Sequence, residues 1–141
     1  MLSLLLNSRA FIWGLLAVPS IPMVGALVSA EPTAGRSVAE ILLHPTGEFS
    51  ARFLIITMIL TPMRMLFPDN GFWRWMMKRR RYFGVAAFAY ALFHTLLYIV
   101  DLGSLRAVLG DAFKLGIWTG WLAFFVFIPL AMTSNDWSVR R

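Results

Sequence analysis

Cysteine is absent from this chain of 141 residues. That excludes a disulfide, a thiolate metal site, a cysteine-held iron–sulfur cluster and a covalently attached c-type haem. It also means that cysteine usage says nothing about the redox compartment. Charge is scarce: 14% of residues are charged, against about 25% in soluble domains. Acidic residues are the scarcer sign, with seven Asp and Glu against thirteen Lys and Arg, a net charge of +6. Histidine is limited to His44 and His94, and a zinc site needs about three protein ligands. His44 with Glu48 offers only a loop pair apart from His94. No residue pattern supports a hydrolase, transferase or metalloprotease centre.

What the chain does have is apolar sequence. Hydrophobic residues make up 59% and the mean hydropathy is +0.70, which places the protein in the membrane class. The length suits one domain. A pI near 10.8 would suggest nucleic acid in a soluble protein. Here the positive charges cluster at the ends of apolar spans, as topology signals do. The expected partner is therefore the lipid bilayer, with no nucleic acid.

Four spans follow from the hydropathy pattern, at about 10–29, 49–67, 83–102 and 115–134. Pro19 and Pro22 interrupt the first, which a membrane helix tolerates when neighbours re-satisfy the freed carbonyls. Val28-Ser29-Ala30 resembles a signal-peptide cleavage site, but the apolar stretch is long and Arg9 follows Leu4-Leu5-Leu6, so a retained helix is expected. Residues 30–47 read as a polar loop with a short helical turn around Ser37–Leu43. Thr61-Pro62 is expected to bend the second span. Arg74, Lys78, Arg79, Arg80 and Arg81, interleaved with Trp73 and Trp75, form the strongest topology signal. They put residues 68–82 in the cytoplasm and give an N-in, C-in arrangement. Gly116 and Gly120 stand at GxxxG spacing in the fourth span, read as a packing feature.

His94 lies inside the third span, where an ionisable group is costly and marks a functional site by default. At 1.5 Å per residue it is roughly 18 Å from Tyr82 and 12 Å from Leu102. Gly84, Ala87, Ala91, His94, Tyr98 and Asp101 share its helical face. The small residues leave a groove of the kind a flat macrocycle needs beside an axial ligand. Tyr98 and Asp101 continue the stripe outward, where they could hold water or order a ligand. The plain alternative is a histidine hydrogen-bonded to a neighbouring helix. His44 reads as a solvated loop residue. Arg52 lies at the depth of His94, either as an interfacial anchor or as a partner for an acidic group. The eight methionines read as gap-fillers.

The ordered set His44-Pro45-Thr46-Gly47, Leu60-Thr61-Pro62-Met63-Arg64, Arg80-Arg81-Tyr82-Phe83-Gly84, Tyr90-Ala91-Leu92-Phe93-His94, Gly120-Trp121-Leu122-Ala123 and Leu130-Ala131-Met132-Thr133-Ser134 resembles the ferric-reductase-like transmembrane family. The likeness is nearest to its branch of haem-binding membrane subunits in periplasmic methionine sulfoxide reductase systems. It implies a six-helix, all-α bundle of the bacterial inner membrane, of which this chain would be a single, C-terminally incomplete domain. Ser134-Asn135-Asp136 looks like a helix N-cap with no helix behind it.

The resemblance also implies haem b held by His94, the nitrogen opposite the iron donating to a carbonyl or hydroxyl that fixes the tautomer. Arg52, His44, Ala87 and Ala91 complete the candidate cofactor-binding set. His44 is the sole other histidine for a second axial position. Arg80 and Arg81 stand where wider relatives place a second haem histidine, so this helix anchors at most one haem. Electrons would pass from a cytoplasmic quinol or flavin reductase to a periplasmic reductase subunit. No motif supports FMN or quinone as a bound cofactor. The competing function is a non-redox membrane scaffold or transporter-like fragment in which His94 is structural.

Overall fold

A computed structural model describes residues 8–29, 35 and 37–133. The N-terminal head, Ala30 of the cleavage-site reading, most of the 30–36 segment, the Ser134-Asn135-Asp136 cap and Arg140-Arg141 lie outside those residues. All regular structure among the described residues is helical: α1 (Arg9–Ala17), α2 (Ser20–Ser29), α3 (Val38–Leu66), α4 (Gly71–Met77), α5 (Arg80–Leu102), α6 (Leu105–Asp111) and α7 (Leu115–Thr133).

The first span is a bent pair. α1 and α2 meet at 52°, and the break falls at Val18-Pro19, where proline has no N–H to continue the ladder. Pro22 causes no interruption, because it sits in the first turn of α2, where its missing donor would be unpaired anyway. The freed backbone is satisfied locally. Ser20 Oγ donates to the Ala17 carbonyl at 2.6 Å, and Tyr90 Oη on α5 donates to the Leu16 carbonyl at 3.2 Å.

The second span starts earlier than its hydropathy suggests. α3 is continuous from Val38 to Leu66, with Pro45 and Pro62 inside it, so His44, Pro45 and Gly47 are helical and not part of a loop. Ser37 caps its N-terminus by accepting from the Glu40 N–H at 2.9 Å. Thr46 Oγ1 then donates back to the Leu42 and Leu43 carbonyls, at 2.7 and 3.0 Å. Pro and Gly mark loops in water, but a helix packed against another helix keeps its remaining hydrogen bonds through them.

α3 and α5 are long and apolar enough to cross a bilayer, and the bent α1–α2 pair qualifies if it counts as one span. α7 is a further apolar helix, with Pro129 near its end. The basic segment holds α4, capped by Asn70, whose side chain accepts from Phe72 N–H at 2.9 Å. α5 ends on Gly103 at φ +64, a left-handed position that suits glycine.

The core sits between α3 and α5. Phe53 packs on Tyr90 and Phe83 with ring centroids 5.5 and 6.4 Å apart. Polar ties cross the seam, among them Ser50 Oγ to the Ala87 carbonyl at 2.9 Å and Arg80 Nε to the Thr57 carbonyl at 3.0 Å. α1 contributes Ile12 and Leu16 to this core. α7 packs on α5 through stacked Phe88 and Phe124, 6.0 Å apart.

Candidate functional site

His94 projects from α5 onto the backbone of α3. Its Nδ1 is 2.9 Å from the Leu43 carbonyl and 3.3 Å from Thr46 Oγ1. A carbonyl can only accept, and Thr46 commits its own proton to Leu42 and Leu43. Both neighbours therefore act as acceptors, and the proton belongs on Nδ1. Nε2 is left with its lone pair and no hydrogen-bond partner among the described residues.

The close approach depends on Gly47. A Cβ there would lie 3.1 Å from both Cε1 and Nδ1 of His94, tighter than ordinary van der Waals contact. Pro45, Thr46 and Gly47 thus shape a single turn of α3 around the imidazole: Thr46 supplies an acceptor and Gly47 supplies room.

His94 lines a cavity of about 350 Å³ between three helices, within the size range of small-ligand sites. α3 contributes Gly47, Ser50, Ala51 and Leu54; α5 contributes Ala91, His94, Thr95 and Tyr98. α7 closes the far side with Gly116, Gly120, Trp121 and Phe124 among others. Gly116 and Gly120 have open space where a Cβ would be. Their spacing thus widens the cavity rather than drawing a helix close.

Tyr98 is one turn beyond His94, and its hydroxyl is buried without a hydrogen-bond partner among the described residues. Leaving such a group unpaired costs about 1–3 kcal/mol. Beyond it, Lys114 Nζ pairs with Asp111 Oδ1 at 2.8 Å. Hydrogen bonding to Asp111 raises the Lys114 pKa above its ordinary value, so the ammonium stays charged at neutral pH.

The candidate residues named from the sequence separate into two groups. His94 and Ala91 line the cavity. Ala87 lies on the same face but is only 1% exposed; its carbonyl accepts from Ser50, so that part of the expected groove is filled by α3. Arg52 pairs with Glu48 and stacks over Phe49 at 5.4 Å, outside the cavity lining. His44 has a side chain 90% exposed and 4.0 Å from Glu48, also outside it. Asp101 is engaged as well, accepting from Ser37 Oγ at 2.6 Å.

The ferric-reductase-like transmembrane component family matches residues 46–141, about two-thirds of the chain and all of the cavity's lining residues. The chain belongs to this family. Among curated relatives, the protein-methionine-sulfoxide reductase heme-binding subunit MsrQ of Brucella anthropi is 36% identical over 134 residues, covering 92% of this chain and 59% of the relative. The same-named subunit of Rhizobium meliloti is 37% identical over 134 residues, covering 92% of this chain and 60% of the relative. The chain thus spans about three-fifths of the length of these relatives. No solved structure matches. Within this ferric-reductase-like chain, the matched region begins at Thr46, the residue whose hydroxyl faces His94.

Gly47, Thr46 and the Leu43 carbonyl were not legible as site members. They belong to a His-Pro-Thr-Gly run in which the histidine draws attention. Its neighbours make the contact, because α3 continues through the proline and turns residues 46 and 47 toward α5.

Proposed function

We propose that this chain is a membrane electron-transfer component of the bacterial inner membrane that holds haem b through Nε2 of His94. One observation carries the reading: the Nδ1 proton is committed to the Leu43 carbonyl at 2.9 Å, which orients the ring and leaves Nε2 as a ligand. The donor chemistry fits, since a neutral imidazole is a standard axial ligand to haem iron. The surroundings fit too. Small residues at 47, 91, 116 and 120 make space, Trp121 and Phe124 supply flat apolar walls, and the Tyr98 hydroxyl is an orphaned polar group. Haem, when bound, supplies reversible one-electron chemistry at iron.

The protein's own contribution is positional and electrostatic. Leu43 and Thr46 hold the proton at Nδ1, and Gly47 lets the ring lie against α3. The aromatic residues of α7 make that wall of the cavity apolar, and low local polarity strengthens the electrostatic interactions within. Among the residues lining the cavity, His94 is the one histidine that would hold the group. With the basic segment 74–81 in the cytoplasm, electrons enter from a quinol or flavin reductase on that side. They leave to a periplasmic acceptor, a methionine sulfoxide reductase by likeness to the named relatives.

A scaffold role, with His94 only tying α5 to α3, draws on the same hydrogen bond. It gives Nε2 and the cavity no purpose. Titrating haem into the detergent-purified chain separates the two. The redox reading expects a Soret band that saturates near one equivalent, survives His44→Ala and is lost in His94→Ala. A folded wild type that takes up no haem would establish the scaffold role instead.

A further inference from the structure

The His94 cavity has three hydroxyl-bearing side chains in its wall: Ser50, Thr95 and Tyr98. Ser50 gives its proton to the Ala87 carbonyl and Thr95 gives its own to the Ala91 carbonyl, each at 2.9 Å. His94 spends Nδ1 on Leu43. Tyr98 remains, with a buried hydroxyl that meets no acceptor among the described residues. Being four residues after His94, it stands about 6 Å further along α5 on the same face. Beyond the end of α5, Lys114 is paired with Asp111 at 2.8 Å.

We propose that Tyr98 is the polar recognition point of the cavity, donating its hydroxyl proton to a carboxylate on the edge of the ligand held by His94. This rests on the haem reading, because haem b is apolar over most of its area and carries its two carboxylates on one edge. Tyr98 would hold the acidic edge of such a ligand on the α5 side of the cavity. A hydrogen bond from a neutral donor to a charged acceptor is among the stronger ones in a buried site. Arg52, whose guanidinium is held by Glu48, does not take this role.

The test is a comparison of iron protoporphyrin IX with its dimethyl ester, each titrated into the detergent-purified full chain and followed by Soret absorbance. The wild type is expected to prefer the free acid by about tenfold, the scale of one charge-assisted hydrogen bond. Tyr98→Phe should lower that preference to near unity while leaving ester affinity unchanged, which also shows that the variant is folded. Tyr98→Phe with an undiminished preference overturns the assignment and leaves haem binding intact. So does a wild type that binds both forms equally. A wild type that binds neither overturns this proposal together with the haem reading.

Discussion

At His94 the decisive feature is which nitrogen carries the proton. Two acceptors face Nδ1 and no partner faces Nε2 among the described residues, so α3 sets both the tautomer and the orientation of the ring. Gly47 makes that possible, and substituting it tests the geometry. Gly47→Ala places a methyl 3.1 Å from two ring atoms, which must push the imidazole away from Leu43. Overpacking of this kind costs about 1–3 kcal/mol. A lower thermal midpoint is expected, together with weaker haem retention in a Soret titration. An unchanged midpoint and affinity would show that the ring does not need this position. His94 itself was legible in the sequence, as an ionisable group inside an apolar span. Gly47 was not, because its role depends on a helix–helix approach that no single-helix pattern encodes.

Among the elements, α3 departs most from its hydropathy outline. The apolar run begins near Phe49, but the helix begins at Val38, started by the Ser37 cap and carried through Pro45. That extra length brings Leu43, Thr46 and Gly47 alongside His94. The span at 83–102 was legible because its apolar run ends where α5 ends, at the Gly103 cap, and the fourth apolar run begins where α7 begins, at Leu115. The bend of the first span was legible from Pro19, while its anchor was not: Tyr90 reaches the Leu16 carbonyl from 74 residues away. Tyr90→Phe should cost about 1–3 kcal/mol by leaving a buried carbonyl unpaired, measurable as a lower midpoint in thermal or denaturant unfolding. The basic segment also has structural tasks. Arg79 lies over Trp75 at 4.2 Å, and Arg80 reaches the Thr57 carbonyl. Arg80→Ala is expected to lose about 1 kcal/mol through that bond, whereas Lys78→Ala, with no such tie among the described residues, should be near neutral.

For the whole molecule, the helices form one bundle whose α3–α5 seam is packed and whose cavity opens where α7 leans against α5. Membership of the ferric-reductase-like family extends over the cavity, and its all-helical character agrees with the composition. The proposed orientation follows from the basic segment, so reporter fusions at Lys78 and Gly110 should report opposite sides of the membrane, with Lys78 cytoplasmic. Matching sides for the two would overturn it. The proposed haem ligation by His94 is open to a spectroscopic check. A reduced-minus-oxidised visible spectrum of the full chain, purified after expression with ample haem, tests it most directly. A b-type difference band that disappears in His94→Ala and persists in His44→Ala is expected. A well-folded wild type with no band, or a band unaffected by His94→Ala, would contradict it.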